Sequence, residues 1–197
     1  MKYILYCLLS AALWWPSGDN PDPRVVKSVA MVSVSDGRCT AFSPLPHVWV
    51  TKLHCADDSY SFKILGETAE FVKEDADLDL LLLHGPVVPS IKIAKKELAP
   101  GEAVTMFGWP VGWNEAPPYI SHGHMSAVDL WPTMPVGVPP SRLNAIDGTC
   151  YFGMSGGPAV DKHGEVVGVI DSLSTEPPIP IAYITPLKEL RKFLGLT

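Results

Sequence analysis

The sequence predicts an all-β protein built as two halves. Its sixteen Gly and twenty Pro stand in short clusters between Val-rich and Ile-rich runs, a pattern typical of many short strands joined by turns. With 197 residues, of which 47% are hydrophobic and 18% charged, the chain can bury a core as one domain or as two small barrels. The net charge of -6 leaves no basic surface, so nucleic acid is not an expected partner.

The strand-like runs lie on both sides of a break at residues 84–86, where the sequence is His-Gly-Pro. Seven prolines between Pro110 and Pro140 exclude long regular elements there and indicate extended loops. We therefore expect one β domain over residues 25–90 and a second over residues 91–186. The predicted strands span residues 25–34, 38–42, 48–53, several segments within 59–83, 103–107, 120–128, 142–145, 159–160, 166–171 and 179–184.

The first 18 residues have the pattern of an export segment. Lys2 precedes an uncharged, mostly apolar run from Tyr3 to Trp15, which Pro16 ends. The run suits the core of a signal peptide and falls short of the roughly 20 residues that cross a bilayer as a helix. We expect a cleaved signal peptide, with an uncleaved membrane anchor and a buried first helix as alternatives, followed by a linker over residues 19–24. The protein is thus expected to be secreted or periplasmic.

The C-terminal stretch has helical periodicity. Thr185 followed by Pro186 predicts an N-cap and a proline at the first helical position. Residues 187–197 are therefore predicted to form a short helix that packs on the second half. Its apolar side chains recur on one face, at Leu187, Leu190, Phe193 and Leu194.

Two strings about 100 residues apart have the chemistry of acyl transfer. Ser155 lies in Gly-Met-Ser-Gly-Gly-Pro at 153–158, and His54 ends the run Val-Trp-Val-Thr-Lys-Leu-His at 48–54. A serine hydroxyl is a poor nucleophile until a histidine takes its proton, and N–H donors beside the serine can stabilise the resulting oxyanion. A carboxylate must orient the histidine. The segment 75–79 offers three candidates, Asp75, Asp77 and Asp79.

In this order of histidine, acid and serine, the chain resembles the chymotrypsin superfamily of serine proteases, and its second half is similar to the bacterial HtrA-like branch. The resemblance covers residues 25–194 and implies two packed antiparallel six-stranded Greek-key β-barrels with a short C-terminal helix, the histidine in the first barrel and the serine in the second. It is carried by segments Gly101 to Val104, Gly108 to Gly112, Ser121 to Ser126, Asp147, Gly164 to Val169 and Tyr183 to Pro186.

The resemblance implies roles for individual residues. Asp79 is the expected acid, because in this family the acid opens a buried strand and Asp79 precedes four leucines; Asp77 is the second choice, and Asp75 is expected in a solvated turn. The N–H groups of Gly153 and Ser155 would form the oxyanion hole. Met154 stands where trypsins have the aspartate that pairs with a newly cut N-terminus, so that activation mode is not expected.

The cysteine pattern resembles that of secreted trypsin-like proteases, in which a bridge fastens the histidine loop. The corresponding pair here is Cys39 and Cys55; two reduced core cysteines are the alternative. A bridge would favour an oxidising compartment. If Cys7 leaves with the signal peptide, Cys150 has no partner.

The same resemblance indicates which residues contact the side chain before the scissile bond. Because Thr149, Ile170 and Ala182 offer no charge, we expect a preference for small or medium apolar side chains. Asp171 leaves two possibilities open: it points into the pocket and favours a basic residue, or it lies on a strand edge and faces solvent. The full predicted set is Thr149, Ile170, Asp171, Ser172 and Ala182.

No metal or cofactor is expected, since the chemistry needs none. His122 and His124 are spaced like two ligands on one strand face, yet no third ligand stands near them in sequence, so surface positions are expected. The predicted partner is a polypeptide substrate, and a monomer is the favoured state. The HtrA-like pattern usually continues into a PDZ domain, and none is expected before Thr197; short single-domain relatives also occur among viral and phage-encoded proteases.

Two other functions are consistent with part of the pattern. Gly153-x-Ser155-x-Gly157 also matches the nucleophile elbow of α/β-hydrolase esterases, although that class needs a histidine well after the serine and a helix that starts at it. A protease fold that binds without turnover is the other alternative. The retained His54, Asp79 and Ser155 favour an enzyme.

Overall fold

The computed structural model describes residues 22–35, 37–56, 60–114, 117–131, 142–174 and 181–196. Its strands form two closed antiparallel barrels of six strands each, which confirms the predicted architecture. Barrel 1 contains β1 (Val29–Val34), β2 (Gly37–Leu45), β3 (Val48–Lys52), β4 (Phe62–Ile64), β5 (Glu67–Asp75) and β6 (Leu80–His84). Barrel 2 contains β7 (Ala103–Gly108), β8 (Tyr119–Leu130), β9 (Leu143–Ile146), β10 (Pro158–Val160), β11 (Val166–Ser174) and β12 (Ile181–Pro186).

The strand order is the same in both barrels. Barrel 1 closes in the order β1-β2-β3-β6-β5-β4. Barrel 2 closes in the equivalent order β7-β8-β9-β12-β11-β10. The break predicted at residues 84–86 follows β6 directly, and the segment from Gly85 to Glu102 connects the barrels with one isolated bridge, between Ile93 and Val166. Barrel 1 is therefore formed by residues 29–84 and barrel 2 by residues 103–186.

Strand β6 explains why four leucines follow one another. Side chains alternate across a strand, and both faces of β6 are covered. Leu81 and Leu83 belong to the core inside barrel 1, whereas Leu80 and Leu82 belong to the core at the seam between the barrels. That seam also contains Phe42 and Val50 of barrel 1 and Phe107, Val160 and Val169 of barrel 2.

A short helix replaces the start of the first predicted strand. Helix α1 (Pro23–Lys27) precedes β1, and the Asp22 side chain caps it by accepting the Arg24 N–H at 2.8 Å. The strand expected from Val25 begins at Val29, and residues 23–24 of the expected linker are helical. An acidic N-cap followed by proline is a helix-start signal that outweighs the apolar run after it.

The predicted C-terminal helix is present as α2 (Leu187–Leu194), and its apolar face is buried at Leu187, Leu190 and Phe193. The helix ends at Gly195, which adopts φ of 71°. The predicted N-cap is wrong by one residue: β12 runs through Pro186, which is itself the cap. Thr185 stays in the strand, where its hydroxyl bonds to Lys52 Nζ instead of capping the helix.

The predicted disulfide is confirmed. Cys39 of β2 is bonded to Cys55, with a Cα–Cα distance of 6.1 Å, and Cys150 is a buried free thiol. Neither helix in the described ranges is long and apolar enough to span a bilayer. The predicted signal peptide or anchor, Cys7 and most of the linker lie outside the described residues.

Replacing Cys39 and Cys55 together by serine is expected to lower the free energy of unfolding by about 3 kcal/mol, because the bond closes a short loop in the unfolded chain. Urea unfolding followed by tryptophan fluorescence measures the difference. As the control, wild type unfolded in dithiothreitol should approach the variant. Equal unfolding midpoints under oxidising conditions would contradict a stabilising role.

Candidate active site

His54 is held by both oxygens of one carboxylate. It lies in a single 3-10 turn, Leu53–Cys55, directly after β3. Its backbone N–H donates to Asp79 Oδ1 at 2.7 Å, and its ring Nδ1 lies 2.5 Å from Asp79 Oδ2. The ring is partly exposed, with 39% of the side chain accessible. Since Nδ1 is occupied, Nε2 is the nitrogen left to exchange a proton with a neighbouring group.

Asp79 is buried and ionised. Burial by itself would raise the pKa of this carboxyl, but the hydrogen bond from His54 and the positive charge of Lys52 outweigh it, so the net pKa is lowered. A lowered folded-state pKa means that the paired carboxylate stabilises the fold at neutral pH. This contribution is lost as the pH falls through the folded-state pKa.

The backbone of Asp79 is also unusual. Its φ of 51° is in the left-handed region, which non-glycine residues rarely adopt. The turn before it is held by Asp75, whose Oδ1 accepts the N–H groups of Asp77 and Leu78, both at 3.1 Å. Asp75 is therefore the last residue of β5 and not the solvated turn residue expected, Asp77 lies in the turn, and Asp79 is the aspartate that contacts His54.

Ser155 lies in the loop between β9 and β10 and is half-buried. Its hydroxyl donates to the main-chain carbonyl of Asp171 at 3.0 Å. Its own carbonyl accepts the Thr40 N–H at 2.9 Å, which ties the loop to barrel 1. Gly156 and Gly157 have no room for a Cβ, because Thr40 and Thr51 lie against the first and the Phe107 carbonyl against the second. Gly156 therefore lets the loop approach barrel 1 closely, and Gly157 lets it approach β7 of its own barrel.

The peptide between Phe152 and Gly153 has a defined orientation. The Phe152 carbonyl accepts the Val111 N–H at 2.7 Å, so the N–H of Gly153, on the other side of the peptide plane, points the opposite way. Gly153 has φ of 94°, and a Cβ there would collide with the Trp109 carbonyl. Among the described residues, neither the Gly153 nor the Ser155 N–H donates to a backbone carbonyl. Within the described ranges, both N–H groups are therefore without a protein acceptor.

Thr40 braces this loop from barrel 1. Its hydroxyl donates to the Gly153 carbonyl at 2.8 Å and accepts the Trp109 N–H at 2.9 Å. Thr51, three residues before His54, donates its hydroxyl to the Thr40 carbonyl at 2.8 Å. The loop that carries Ser155 is therefore linked through Thr40 to the strand that carries His54.

Met154 is fully buried in the core of barrel 2, against Gly108. A thioether in this apolar position has no means of pairing with a charged terminus. The neighbouring Tyr151 and Phe152 are exposed. Tyr151 contacts Tyr119 edge to face, and Tyr119 contacts Trp113 in the same way, so an aromatic cluster borders the loop.

The predicted substrate residues fall into two groups. Ile170 and Ala182 are fully buried in barrel 2, and Thr149 and Ser172 are partly buried. Asp171 is only 2% exposed, so the solvent-facing alternative is wrong. It occupies an irregularity in the pairing of β11 with β12, between Ile170 and Ser172. Such a bulge re-aims a side chain, and here Asp171 Oδ2 forms an ion pair with Lys52 Nζ.

Lys52 and Cys150 complete the surroundings of Asp171. Lys52 is completely buried, and its Nζ also lies 3.6 Å from Asp79 Oδ2. Burial raises the pKa of the Cys150 thiol to about 12, and the Asp171 carboxylate acts in the same direction. Asp171 Oδ1 is buried without a hydrogen-bond partner among the described residues.

The remaining histidines of interest lie away from His54. His122 is exposed, with Nδ1 3.1 Å from the Thr105 hydroxyl, and the backbone N–H of His124 donates to Asp147. In the described part of the chain, the group with metal-ligand spacing is Cys39, His54 and Cys55, and its two sulfurs are joined to each other.

Two residues of the site were not predicted from the sequence. Lys52 had a signal, since a lysine inside the apolar run before His54 needs a buried partner. Thr40 had none: a threonine in a strand is common, and its partners Gly153 and Trp109 are distant in sequence.

Two six-stranded barrels, a histidine paired with an aspartate on the first, and a serine in a glycine-rich loop of the second define a chymotrypsin-like peptidase fold. Residues 48–169, more than half of the chain, match the family model for the trypsin-like peptidase domain. The chain belongs to this family of peptidases. No curated protein sequence is significantly similar to it.

Solved structures with this fold include bacterial proteases. The chain is similar to the Rv3671c protease of M. tuberculosis in an inactive form, with TM-score 0.71 and 22% identity over 90% of this chain and 96% of that one. A serine endoprotease from Yersinia pestis is similar with TM-score 0.74 and 20% sequence identity, over 91% of this chain and 67% of that one. The HtrA-type protease AlgW with a decapeptide is similar with TM-score 0.72 and 17% sequence identity, over 88% of this chain and 65% of that one. At these identities the likeness establishes the fold.

The fold also excludes one alternative. An α/β-hydrolase has a largely parallel sheet covered by helices, whereas both sheets described here are closed antiparallel barrels. The esterase interpretation of Gly153-x-Ser155-x-Gly157 is therefore wrong.

Thr40→Val is expected to slow covalent labelling of Ser155 by a fluorophosphonate about 10-fold to 100-fold. The change leaves the buried Gly153 carbonyl and the partly buried Trp109 N–H unpaired, for about 1–3 kcal/mol, and loosens the loop that carries Gly153. Labelling rates measured by fluorescence after gel separation test this. Thr68→Val, the same change at an exposed position of β5, is the control. Equal rates for Thr40→Val and wild type would show that the brace is dispensable.

Proposed function

We propose that this protein is a serine endopeptidase that hydrolyses peptide bonds through a triad of His54, Asp79 and Ser155 and an acyl-enzyme intermediate. The observation that carries the proposal is the double contact of Asp79 with His54, at 2.7 Å to the backbone and 2.5 Å to the ring. It fixes which nitrogen of the imidazole bears the proton. A histidine with no role in proton transfer does not need this arrangement.

In the proposed reaction, Ser155 attacks the peptide carbonyl while His54 takes the hydroxyl proton. His54 then delivers the proton to the leaving amine, and water hydrolyses the acyl-enzyme by the same steps in reverse. The hydroxyl, which bonds to the Asp171 carbonyl in the free protein, turns toward Nε2 of His54 when substrate binds. Hydrogen bonds of this kind often form fully only in the complex.

The backbone N–H groups of Gly153 and Ser155 form the proposed oxyanion hole. The support is the orientation of two successive peptides: the Phe152 carbonyl accepts the Val111 N–H, and the Gly153 carbonyl of the next peptide accepts the Thr40 hydroxyl. Preorganised donors need no rearrangement as charge develops. Each contributes on the order of 3 kcal/mol in comparable sites.

The proposed substrate is a polypeptide with a small or medium apolar side chain before the scissile bond. Ile170 and Ala182 are apolar and fully buried, Thr149 and Ser172 are uncharged and partly exposed, and Lys52 already neutralises Asp171. A basic substrate side chain would have to compete with the Lys52 ammonium for that carboxylate. This argues against a trypsin-like preference.

We also propose export to a secreted or periplasmic location, through a signal peptide over residues 1–18 or an anchor retained there. The bond between Cys39 and Cys55 supports an oxidising compartment, because such bonds are rare in reducing ones. N-terminal sequencing of the protein recovered from the medium or the periplasm distinguishes cleavage from retention.

A binding protein without turnover is the second candidate. The observation that favours it is the Ser155 hydroxyl, which is bonded to a carbonyl of barrel 2. If the hydroxyl stays there when a peptide binds, the protein holds the peptide and does not cut it.

A fluorophosphonate probe and a quenched peptide library distinguish the two functions. We expect wild type to be labelled and to cleave, Ser155→Ala to lose both, His54→Gln to lose at least about 1000-fold in rate, and Asp79→Asn about 10,000-fold. Asp77→Asn, in the same turn, is the matched control and should keep nearly full activity. Folded wild type that neither labels nor cleaves would overturn the proposed enzyme and favour the binding protein.

The peptide library also tests specificity. Cleavage should be fastest after Ala, Val, Ile or Leu, with rates at least about tenfold higher than after Arg or Lys, because one buried contact is worth about 1–3 kcal/mol in a pocket. Mass spectrometry of the products identifies the cleaved bonds. A clear preference for Arg or Lys would mean that Asp171 receives the substrate side chain.

A further inference from the structure

Lys52 lies in the interior, between acidic groups of the two barrels. Lysine is almost never fully buried unless it is paired, and the Lys52 side chain has no exposed surface. Its Nζ pairs with Asp171 Oδ2 of β11 and lies 3.6 Å from Oδ2 of Asp79, the residue directly before β6. It also donates to the Thr185 hydroxyl at 2.9 Å and to the Leu78 carbonyl at 3.2 Å.

The same two acids contact both ends of the proposed triad. Asp79 Oδ2, the oxygen near Lys52, is the one that binds His54 Nδ1. The main-chain carbonyl of Asp171 accepts the Ser155 hydroxyl. One ammonium group is therefore linked, through one residue on each side, to the proposed base and to the proposed nucleophile.

We infer that Lys52 is a positioning residue of this site: it holds Asp79 and Asp171 in place across the seam between the barrels, and its positive charge acts on His54 through Asp79. The inference rests on the proposed function, because it assigns Lys52 a part in the chemistry of His54 and Ser155. Trypsin-like chemistry does not itself require a lysine at this position.

His54, Asp79, Lys52 and Asp171 form a row of neighbouring groups. When His54 is protonated, their charges alternate: positive, negative, positive and negative. Asp171 partly cancels the field of Lys52. Without Asp171, the uncompensated ammonium opposes a second positive charge on the His54 ring. Cys150, which also faces Asp171, stays neutral near pH 7 because burial raises its pKa to about 12. Across the described ranges, no further ion pair reaches these four groups.

The test compares four proteins in a Ser155→Ala background, which prevents self-cleavage. They are the parent, Asp171→Asn, Asp171→Asn with Lys52→Met, and Asp171→Asn with Lys63→Met. Lys63 is an exposed lysine of β4, so the last protein makes the same chemical change away from the site. The readout is the pH midpoint of the His54 ring resonance in NMR, identified by its absence from the spectrum of His54→Gln.

We expect Asp171→Asn to lower this midpoint by at least about 0.5 pH unit, since it leaves the Lys52 charge uncompensated. Adding Lys52→Met should return the midpoint to within about 0.2 unit of the parent, and adding Lys63→Met should leave it lowered. A merely structural role of Lys52 would not produce this order. An unchanged midpoint in Asp171→Asn, or a lowered one that Lys52→Met does not restore, would overturn the inference.

A second variant keeps the test decisive if Asp171→Asn does not fold, as judged by circular dichroism. Asp171→Ser makes the same charge change and leaves room for water beside the ammonium. It is expected to shift the His54 midpoint in the same direction, and the same outcome would overturn the inference.

Turnover is measured separately on the same set of variants with Ser155 intact. The acidic limb of the kcat/KM profile should follow the order of the NMR midpoints. If the midpoints follow that order but no protein turns over, the proposed function fails and the electrostatic role of Lys52 stands. Turnover with unchanged midpoints overturns the role of Lys52 alone.

Discussion

A buried ammonium group joins the two barrels where the proposed catalytic side chains meet. Lys52 ends β3 of barrel 1, yet its partners Asp171 and Thr185 belong to barrel 2. The apolar side chains of the seam, such as Phe42, Leu80 and Phe107, bury area, but the hydrophobic effect has no direction. A buried ion pair favours one relative arrangement of its partners, because separating the two charges leaves uncompensated charge that costs several kcal/mol. The polar contacts therefore decide how one barrel sits on the other.

Three backbone features direct polar groups toward this seam. The left-handed conformation of Asp79 directs its carboxylate toward His54, the bulge at Asp171 directs a second carboxylate toward Lys52, and the positive φ of Gly153 turns a peptide whose N–H is left available. Each departs from regular strand geometry. Such departures persist only where surrounding contacts over-determine them, and here Thr40, Lys52 and Val111 supply those contacts.

Two of the boundaries that sequence reasoning misplaced lie where a polar side chain makes a contact that the apolar pattern did not predict. At Asp22 and Pro23, a cap and a proline started a helix inside what the apolar pattern predicted as strand. At Thr185, the hydroxyl that local pattern assigned to a helix cap is taken by Lys52. Asp171 shows the same effect in the site: a strand-edge aspartate usually faces water, and this one is buried because a distant lysine reaches it.

The sequence by itself determined the features that depend on local pattern and residue type. The short apolar runs with Gly and Pro between them predicted an all-β protein, and the resemblance in motif order and cysteine spacing implied the two barrels and the bond between Cys39 and Cys55. Only the tertiary structure decided what surrounds His54 and Ser155. Lys52 meets Thr185 across 133 positions and Thr40 meets Gly153 across 113. Contacts that far apart depend on how two closed barrels pack, and no local periodicity or propensity encodes that packing.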